Sequence, residues 1–433
     1  MSEPVIGLIG IIVLLILIFL NMPIGFALAL VGFCGFAWVA GFSGALNNLS
    51  AVPFRWVADY SMAVVPLFLL MGSIAANTGI TQDLYAAAHN WIGRLRGGLA
   101  MATVAACAGF AAICGSSTAT GAAMSKVALP EMKRYNYDLK MAAGSIAAGG
   151  TIGILIPPSL GFIVYAILTE ESVGRLFMAG ILPGILQAVF YIATIYILCV
   201  RNPGMGPAGP KTSFKSKVKA VKGVWSMLAL FVLVMGGIYT GFFTPSEAAA
   251  IGAFGALVIS LIGRRLTRNN LVTSLYETGQ STAMIFIVII GAFIFMRFLA
   301  VSNLPFVLSE VVTGLNLPPY AILVMILVFY IIIGCFLEIM STLALTIPII
   351  FPTILALGFD PIWFGVLFVR MAEIGEITPP IGLNCFVIAG VTGIPVGTVF
   401  RGIVPFIIAD IFHVALLVAI PAISLLLPGM MKG

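Results

Sequence analysis

Charge is scarce in this sequence: 8% of its 433 residues are Asp, Glu, Lys or Arg, against 61% hydrophobic. That balance excludes a water-soluble globular domain. Apolar and polar residues do not alternate with period two, which excludes a transmembrane barrel. No GxxxxGK(S/T) loop is present and hardly any polar sequence could house one, so an ATP-driven pump is excluded. A channel would show a ring of like charges or a repeated filter motif, and neither is visible. Histidine occurs twice, and neither His89 nor His413 stands near a Cys or Ser motif. Without a nucleophile and base, or a metal cluster, the chain is not read as an enzyme. His413 reads as a core residue and His89 as an exposed loop residue. The six cysteines (Cys34, Cys107, Cys114, Cys199, Cys335 and Cys385) lie inside apolar runs without paired ligand spacing. That is the pattern of small core residues rather than disulfides or metal ligands. The leader MSEP has no basic residue, and no small-residue cleavage site follows the apolar run at 5–20. This run therefore reads as a retained helix, not a signal peptide.

What is present is a succession of apolar runs, several near the roughly 20 residues that span a bilayer. Mean hydropathy is +1.18, and the fold class is an all-α polytopic membrane protein. Spans are placed near 4–21, 24–42 and 61–78, followed by a hairpin-like segment at 98–125, a broken span at 140–169 and a full span at 176–200. A basic connector, RNPGMGPAGPKTSFKSKVKAVKG, occupies 201–223. The second half reads as spans near 224–242, 246–263 and 280–301, a hairpin at 320–356, a broken span at 361–391 and a last span at 402–428. The segments at 79–97 and 264–280 are amphipathic and basic; they read as surface arms or as solvated connectors. Trp91, Trp225 and Trp363 lie near span ends, where indoles anchor at the interface.

The halves are copies. TIGILIPPSLGFIVYA (151–166) has a twin in EIGEITPPIGLNCFVIA (373–389), with Pro157-Pro158 answering Pro379-Pro380 at an offset of 222. VGRLFMAGILPG answers VGTVFRGIVPF, and GSSTATGAAM answers EIMSTLALTIP, in the same order at nearly the same offset. This is an internal duplication: 1–200 is the first repeat and 224–428 the second. If the hairpins dip in and return, each half crosses five times, so the second copy is inverted. The cations agree, since Arg94, Arg96, Lys133, Arg134, Lys140, the connector cluster, Arg264, Arg265 and Arg268 fall on one side, the cytoplasmic one. Both termini then lie outside.

A Pro-Pro pair removes backbone donors in the middle of an apolar segment. Such breaks occur in membranes only where the freed groups line a polar cavity or coordinate an ion. Inverted repeats with interrupted helices point to the binding site of a secondary transporter. Carbonyls and hydroxyls suit a small hard cation such as sodium, and half-helix N-termini suit an anionic solute. The hairpin tips carry matching residues: Gly115, Ser116, Ser117, Thr118 and Thr120 in the first copy, Ser341, Thr342 and Thr346 in the second. Each tip is expected to face the break of its own repeat, Gly153/Pro157/Pro158/Ser159 or Gly375/Thr378/Pro379/Pro380, with two cation sites and the solute between the tips. Helix packing is the competing reading for any one of these small residues. Charges inside apolar runs are Arg297, Glu338, Arg370, Glu373, Glu376 and Asp410. Arg297 and Glu338 are candidate solute contacts, together with Ser116, Thr120, Ser159 and Asn384. Arg370 and Glu373, at i+3, read as an internal ion pair.

GSSTATGAAMSKVALPEMKRYNYD, AAGSIAAGGTIGILIPPSLGFIVYA and GEITPPIGLNCFVIAG together resemble the large membrane subunit of tripartite ATP-independent periplasmic (TRAP) transporters, over about residues 5–428. The resemblance implies an elevator, in which hairpins and broken helices move as a transport domain against a scaffold. It implies import of an organic acid, of the sialic acid or C4-dicarboxylate class, across the bacterial inner membrane by sodium symport. It also implies two partners, a small four-helix membrane subunit and a periplasmic substrate-binding protein. Because this chain begins with its first span, the small subunit is expected as a separate polypeptide. Carried over by motif, sodium ligation falls on Ser116, Ser117, Gly153 and Pro157 in one half, and on Ser341, Thr342, Gly375 and Thr378 in the other. Sodium is the coupling ion and no other cofactor is implied. A stand-alone sodium–carboxylate symporter or antiporter, working without a binding protein, shares the same hairpins and breaks.

Overall fold

The computed structural model describes residues 2–209, 212–315 and 317–431; residues 210 and 211 of the connector lie outside the described residues. Among the described residues every regular element is a helix. In the first half these are α1 (Glu3–Phe19), α2 (Ile24–Ala40), α3 (Phe42–Val57), α4 (Val64–Asn77), α5 (Ile80–Ile92), α6 (Gly98–Cys114), α7 (Ser117–Arg134), α8 (Leu139–Leu155), α9 (Leu160–Thr169) and α10 (Val173–Arg201). In the second they are α11 (Phe214–Tyr239), α12 (Pro245–Ile262), α13 (Arg268–Val301), α14 (Leu304–Thr313), α15 (Pro319–Gly334), α16 (Ile339–Ala356), α17 (Pro361–Ile377), α18 (Leu383–Thr392), α19 (Val396–Ala419) and α20 (Ala422–Gly429). Among the described residues seven helical segments are long and apolar enough to cross a membrane, one of them α4 with the short turn before it (Tyr60–Asn77), and the bent pair α8–α9 adds an eighth.

The offset seen in the sequence is kept by the helices. α7 and α16 are displaced by 222 residues at both ends, as are α8 and α17. Their starts are set by the same chemistry. Asp138 accepts from the Lys140 and Met141 amides at 2.7 and 3.3 Å, and Asp360 from the Ile362 and Trp363 amides at 2.8 and 3.0 Å. Each carboxylate satisfies donors that a helix start leaves unpaired.

The copies diverge elsewhere. The segment at 264–280, expected as a separate arm, runs into the following span as the single 34-residue helix α13. Its first-copy counterpart is two helices, α3 and α4, parted where Asp59 caps the Ser61 amide at 2.8 Å. An amphipathic helix over 42–57 was not expected from the sequence. The last span, expected over 402–428, starts earlier and divides at Ile420-Pro421 into α19 and α20, because proline cannot continue the ladder. His89 is not in a loop but half-buried on α5, its ring 6.1 Å from that of Tyr85. Trp363 is buried, donating through Nε1 to the Leu417 carbonyl at 3.0 Å, whereas Trp91 and Trp225 are exposed.

Two sets of helices emerge. α1–α4 and α11–α13 pack mainly on one another, while α6–α10 and α15–α20 enclose the broken helices. The arms α5 and α14 rest on α6 and α16 respectively, and Arg265, before α13, pairs with Asp83 of α5. The deepest part of the molecule lies in the second set. Every residue of α8 from Met141 to Leu155 and of α17 from Ile362 to Ile377 is buried.

Candidate functional site

The first hairpin turns at Cys114–Ser116. Gly115 has φ +64°, and a Cβ there would lie 2.5 Å from the Pro158 carbonyl oxygen, so only glycine allows tip and break to meet. Ser116 caps α7, accepting from the Ala119 amide at 3.4 Å, and its hydroxyl is 3.3 Å from that of Thr118. The Thr120 hydroxyl donates to the Ser116 carbonyl at 2.7 Å. Gly153 of α8 completes the group: a Cβ there would lie 2.7 Å from both the Ser116 carbonyl and the Thr120 hydroxyl oxygen. Ser116, Thr120 and Gly153 are thus brought together. Between α8 and α9 the Pro157–Pro158 peptide is cis, the chain bends by 41°, and Ser159 caps α9 through the Phe162 amide at 3.3 Å. Pro157, Pro158 and Ser159 are all buried. Met71 of α4 and Met227, Leu230, Phe231 and Val234 of α11 line a small apolar gap beside Pro158.

The second tip is built differently. Glu338 caps α16, accepting from the Met340 amide at 3.0 Å, and its carbonyl accepts from the Thr342 hydroxyl at 3.2 Å. Thr346 donates to the Thr342 carbonyl at 2.6 Å. Thr378, closing α17, donates to the Ile374 carbonyl at 2.5 Å, and the Cys335 thiol approaches the carbonyl of the cis-linked Pro379 at 3.6 Å. Ser341 is half-buried on the first turn of α16. Gly375 does not answer Gly153 in its contacts. A Cβ there would lie 2.6 Å from Gly334 Cα and 2.9 Å from the Ile331 carbonyl oxygen, on the outer arm of the hairpin rather than its tip.

Each tip meets the break of its own repeat and also packs against the other repeat. α7 lies along α8 but also against α18 of the other repeat, and α16 lies against α17 and against α9. The two copies interlock. Their meeting point is Glu376, 1% exposed on α17. One of its oxygens accepts from the Ile339 amide at 3.0 Å, at the second tip. The other accepts from the Ser117 hydroxyl at 3.3 Å, at the first tip, and from the Asn384 amide at 3.2 Å. Sequence reading marked Glu376 as a charge in an apolar run but gave it no role. Its partner Ser117 stands 259 residues away, and the only local signal was an acid where the first copy has Ile154.

Two further expectations change. Arg370 does not pair with Glu373. It crosses to α19, where it pairs with Asp410, and donates to the Tyr191 hydroxyl at 3.1 Å; Arg370 and Asp410 are both fully buried. The Gln187 amide and the Thr151 hydroxyl close the ring around Tyr191 at 3.0 and 3.2 Å. Arg370 thus answers the acid that α19 brings alongside rather than the one a turn along its own helix. Arg297 sits apart from the tips, exposed on α13 and in no ion pair among the described residues. His413 is fully buried in the core.

Comparison with known proteins fits this architecture. Residues 11–423 match the family described as "Tripartite ATP-independent periplasmic transporter, DctM component". The chain belongs to the DctM family. It is 38% identical over 401 residues to the C4-dicarboxylate TRAP transporter large permease protein DctM of Pseudomonas aeruginosa, covering 90% of this chain and 93% of that one. It is 30% identical over 418 residues to the sialic acid TRAP transporter large permease protein SiaM of Vibrio cholerae, covering 96% and 97%. A DctM-family chain is a transport permease of a tripartite system, not an enzyme. The fold is also that of the crystal structure of the YdaH transporter from Alcanivorax borkumensis, with TM-score 0.65 at 14% identity over 90% of this chain and 88% of that one. The interlocked tips and breaks are therefore the part of a DctM-family permease where oxygen-rich side chains and freed backbone groups concentrate.

Proposed function

We propose that this permease imports an organic acid of the sialic acid or C4-dicarboxylate class across the inner membrane by sodium symport. A periplasmic binding protein delivers the solute, and a small four-helix membrane subunit, as a separate chain, completes the complex. The observation that carries the reading is the interlocking of two inverted tips around two broken helices in one buried block. Such a block can move as a unit against α1–α4 and α11–α13, which is what an elevator needs. Excess cations on one face favour placing both termini in the periplasm.

The residues present fit sodium. The Ser116 carbonyl and the Thr120 hydroxyl converge on Gly153, an oxygen-rich set of the kind hard cations take. In the second copy Ser341, Thr342, Gly375 and Thr378 would contribute, beside Ser117 and Pro157 in the first. Bound there, sodium supplies positive charge and the energy of its gradient. The chain's own part is to hold α7 and α16 so that their N-termini, with Ser116, Thr120, Ser159 and Asn384 nearby, orient an anion. Glu338 stands at the rim of that place.

The test is uptake of sialic acid and succinate into proteoliposomes holding this chain and its small subunit, with and without a sodium gradient and a binding protein. Uptake needing both is expected, and Ser117→Ala or Thr342→Ala should weaken it. Sodium-driven uptake that ignores the binding protein would instead establish a stand-alone sodium–carboxylate symporter.

A further inference from the structure

One turn of α17 carries two buried carboxyl groups that form no ion pair among the described residues. Glu373 and Glu376 are at most 1% exposed. Glu376 receives three hydrogen bonds, from Ile339, Ser117 and Asn384, but all come from neutral donors. Glu373 has no hydrogen-bond partner on either carboxylate oxygen. Asn384, 2% exposed, gives its amide to Glu376 and leaves its carbonyl oxygen Oδ1 buried and without a partner. Arg370, one turn before Glu373, is committed to Asp410. Glu338, next to Ile339, adds a third carboxylate at the second tip.

The unpartnered atoms of Glu373 and Asn384 are all oxygen acceptors; on the preceding turn Nε of Arg370 is a buried donor without a partner, its guanidinium held by Asp410. A neutral solute group would need acceptors and donors in balance; a bare hard cation needs oxygens alone. Buried carboxylates are retained in membranes where a cation or partner answers them. We propose that Glu373, Glu376 and the Asn384 carbonyl form a sodium site between the hairpin tips, additional to the oxygens around the two Pro-Pro breaks. This rests on the sodium-coupled reading above and deepens it. A cation bound there would offset carboxylates buried beneath the place where an organic anion is held. It also leaves Glu376 tying Ser117 of one copy to Ile339 of the other.

The experiment uses the full chain in lipid nanodiscs. Its thermal unfolding midpoint is titrated with sodium chloride against choline chloride at constant ionic strength, since a ligand bound only to the folded state raises that midpoint. The wild type should show saturable, sodium-specific stabilisation. Glu373→Gln and Glu376→Gln should each raise the half-saturating sodium concentration tenfold or more. In sodium-free buffer Glu373→Gln should unfold at or above the wild-type midpoint, because a buried carboxyl group without a partner is gone. Glu376→Gln should unfold lower, because its amide nitrogen meets a donor that the carboxylate oxygen accepted. Retention of the wild-type half-saturation in both variants overturns the site while leaving sodium coupling intact. A wild type indifferent to sodium overturns both. Should the glutamine variants not fold, Asn384→Ser takes their place in the same titration, and an unchanged half-saturation has the same meaning.

Discussion

The two broken helices are copies of one another, yet one break is sealed and the other open. In the first, Pro157, Pro158 and Ser159 are all buried; in the second, Pro379, Pro380 and Ile381 are exposed, Ile381 at 40%. The seal is supplied by apolar side chains of α4 in the same repeat and of α11 in the other, around Pro158. The helices differ in a second way. Where α8 has Ala148, Thr151 and Ile154, α17 has Arg370, Glu373 and Glu376 at the same offset of 222. The sealed break thus belongs to the apolar helix and the open one to the charged helix. Duplication supplied two equal frames, and divergence then placed ionic chemistry on one of them.

The largest effect is expected at Arg370. Arg370→Leu leaves Asp410 buried without its partner, a loss of about 3–5 kcal/mol by the usual penalty for halving a buried ion pair. The expected result is a collapse in folded yield on size exclusion, and Asp410→Asn should give much of the same loss. The pair Arg370→Leu/Asp410→Leu should recover part of it; a double variant as poor as the singles would mean the ring around Tyr191 is needed as such.

Next in size is the seal itself. Gly115→Ala combines a left-handed backbone with a Cβ pressed on the Pro158 carbonyl, whereas Gly393, φ +70°, has nothing within 4 Å of its Cβ position. The backbone strain alone is roughly 1–2 kcal/mol at each, so the difference between the two variants reads the contact of tip with break. Gly115→Ala should lower the thermal midpoint well beyond Gly393→Ala. Equal shifts would show that the first tip does not press on its break.

The smallest perturbation probes the exposure of each break without destabilising either copy. In a background with the exposed Cys34 replaced by serine, Ile381→Cys should react readily with a membrane-impermeant maleimide. Ser159→Cys should react slowly, since Ser159 is fully buried. Similar rates would contradict the difference between the breaks.

Much of this frame was legible because it is written locally. Proline pairs mark breaks wherever they occur, and the repeat of Pro-Pro and Ser-Thr motifs located both hairpins and both interrupted helices. What escaped was set across the fold. Arg370 reads as the partner of Glu373 when only helix spacing is visible, because nothing in the chain shows that α19 brings Asp410 alongside. Glu376 has its role only once Ser117 is folded against it. The continuity of α13 was missed for a different reason: its polar first turns look like a surface arm, and no capping residue such as Asp59 interrupts them. Arg297 was selected for being a cation in an apolar run, and periodicity alone did not reveal which way its helix faces.

That unbroken helix has a mechanical consequence. At 1.5 Å per residue, the 34 residues of α13 form a rod roughly 50 Å long, against a hydrocarbon layer of about 30 Å. It must lean or stand proud of the lipid, and Arg265 latches the loop at its base to α5, which rests on the first hairpin. Packing on α2 and α4 sets the lean of such a rod, so one helix and one latch tie the outer set of helices to the first hairpin.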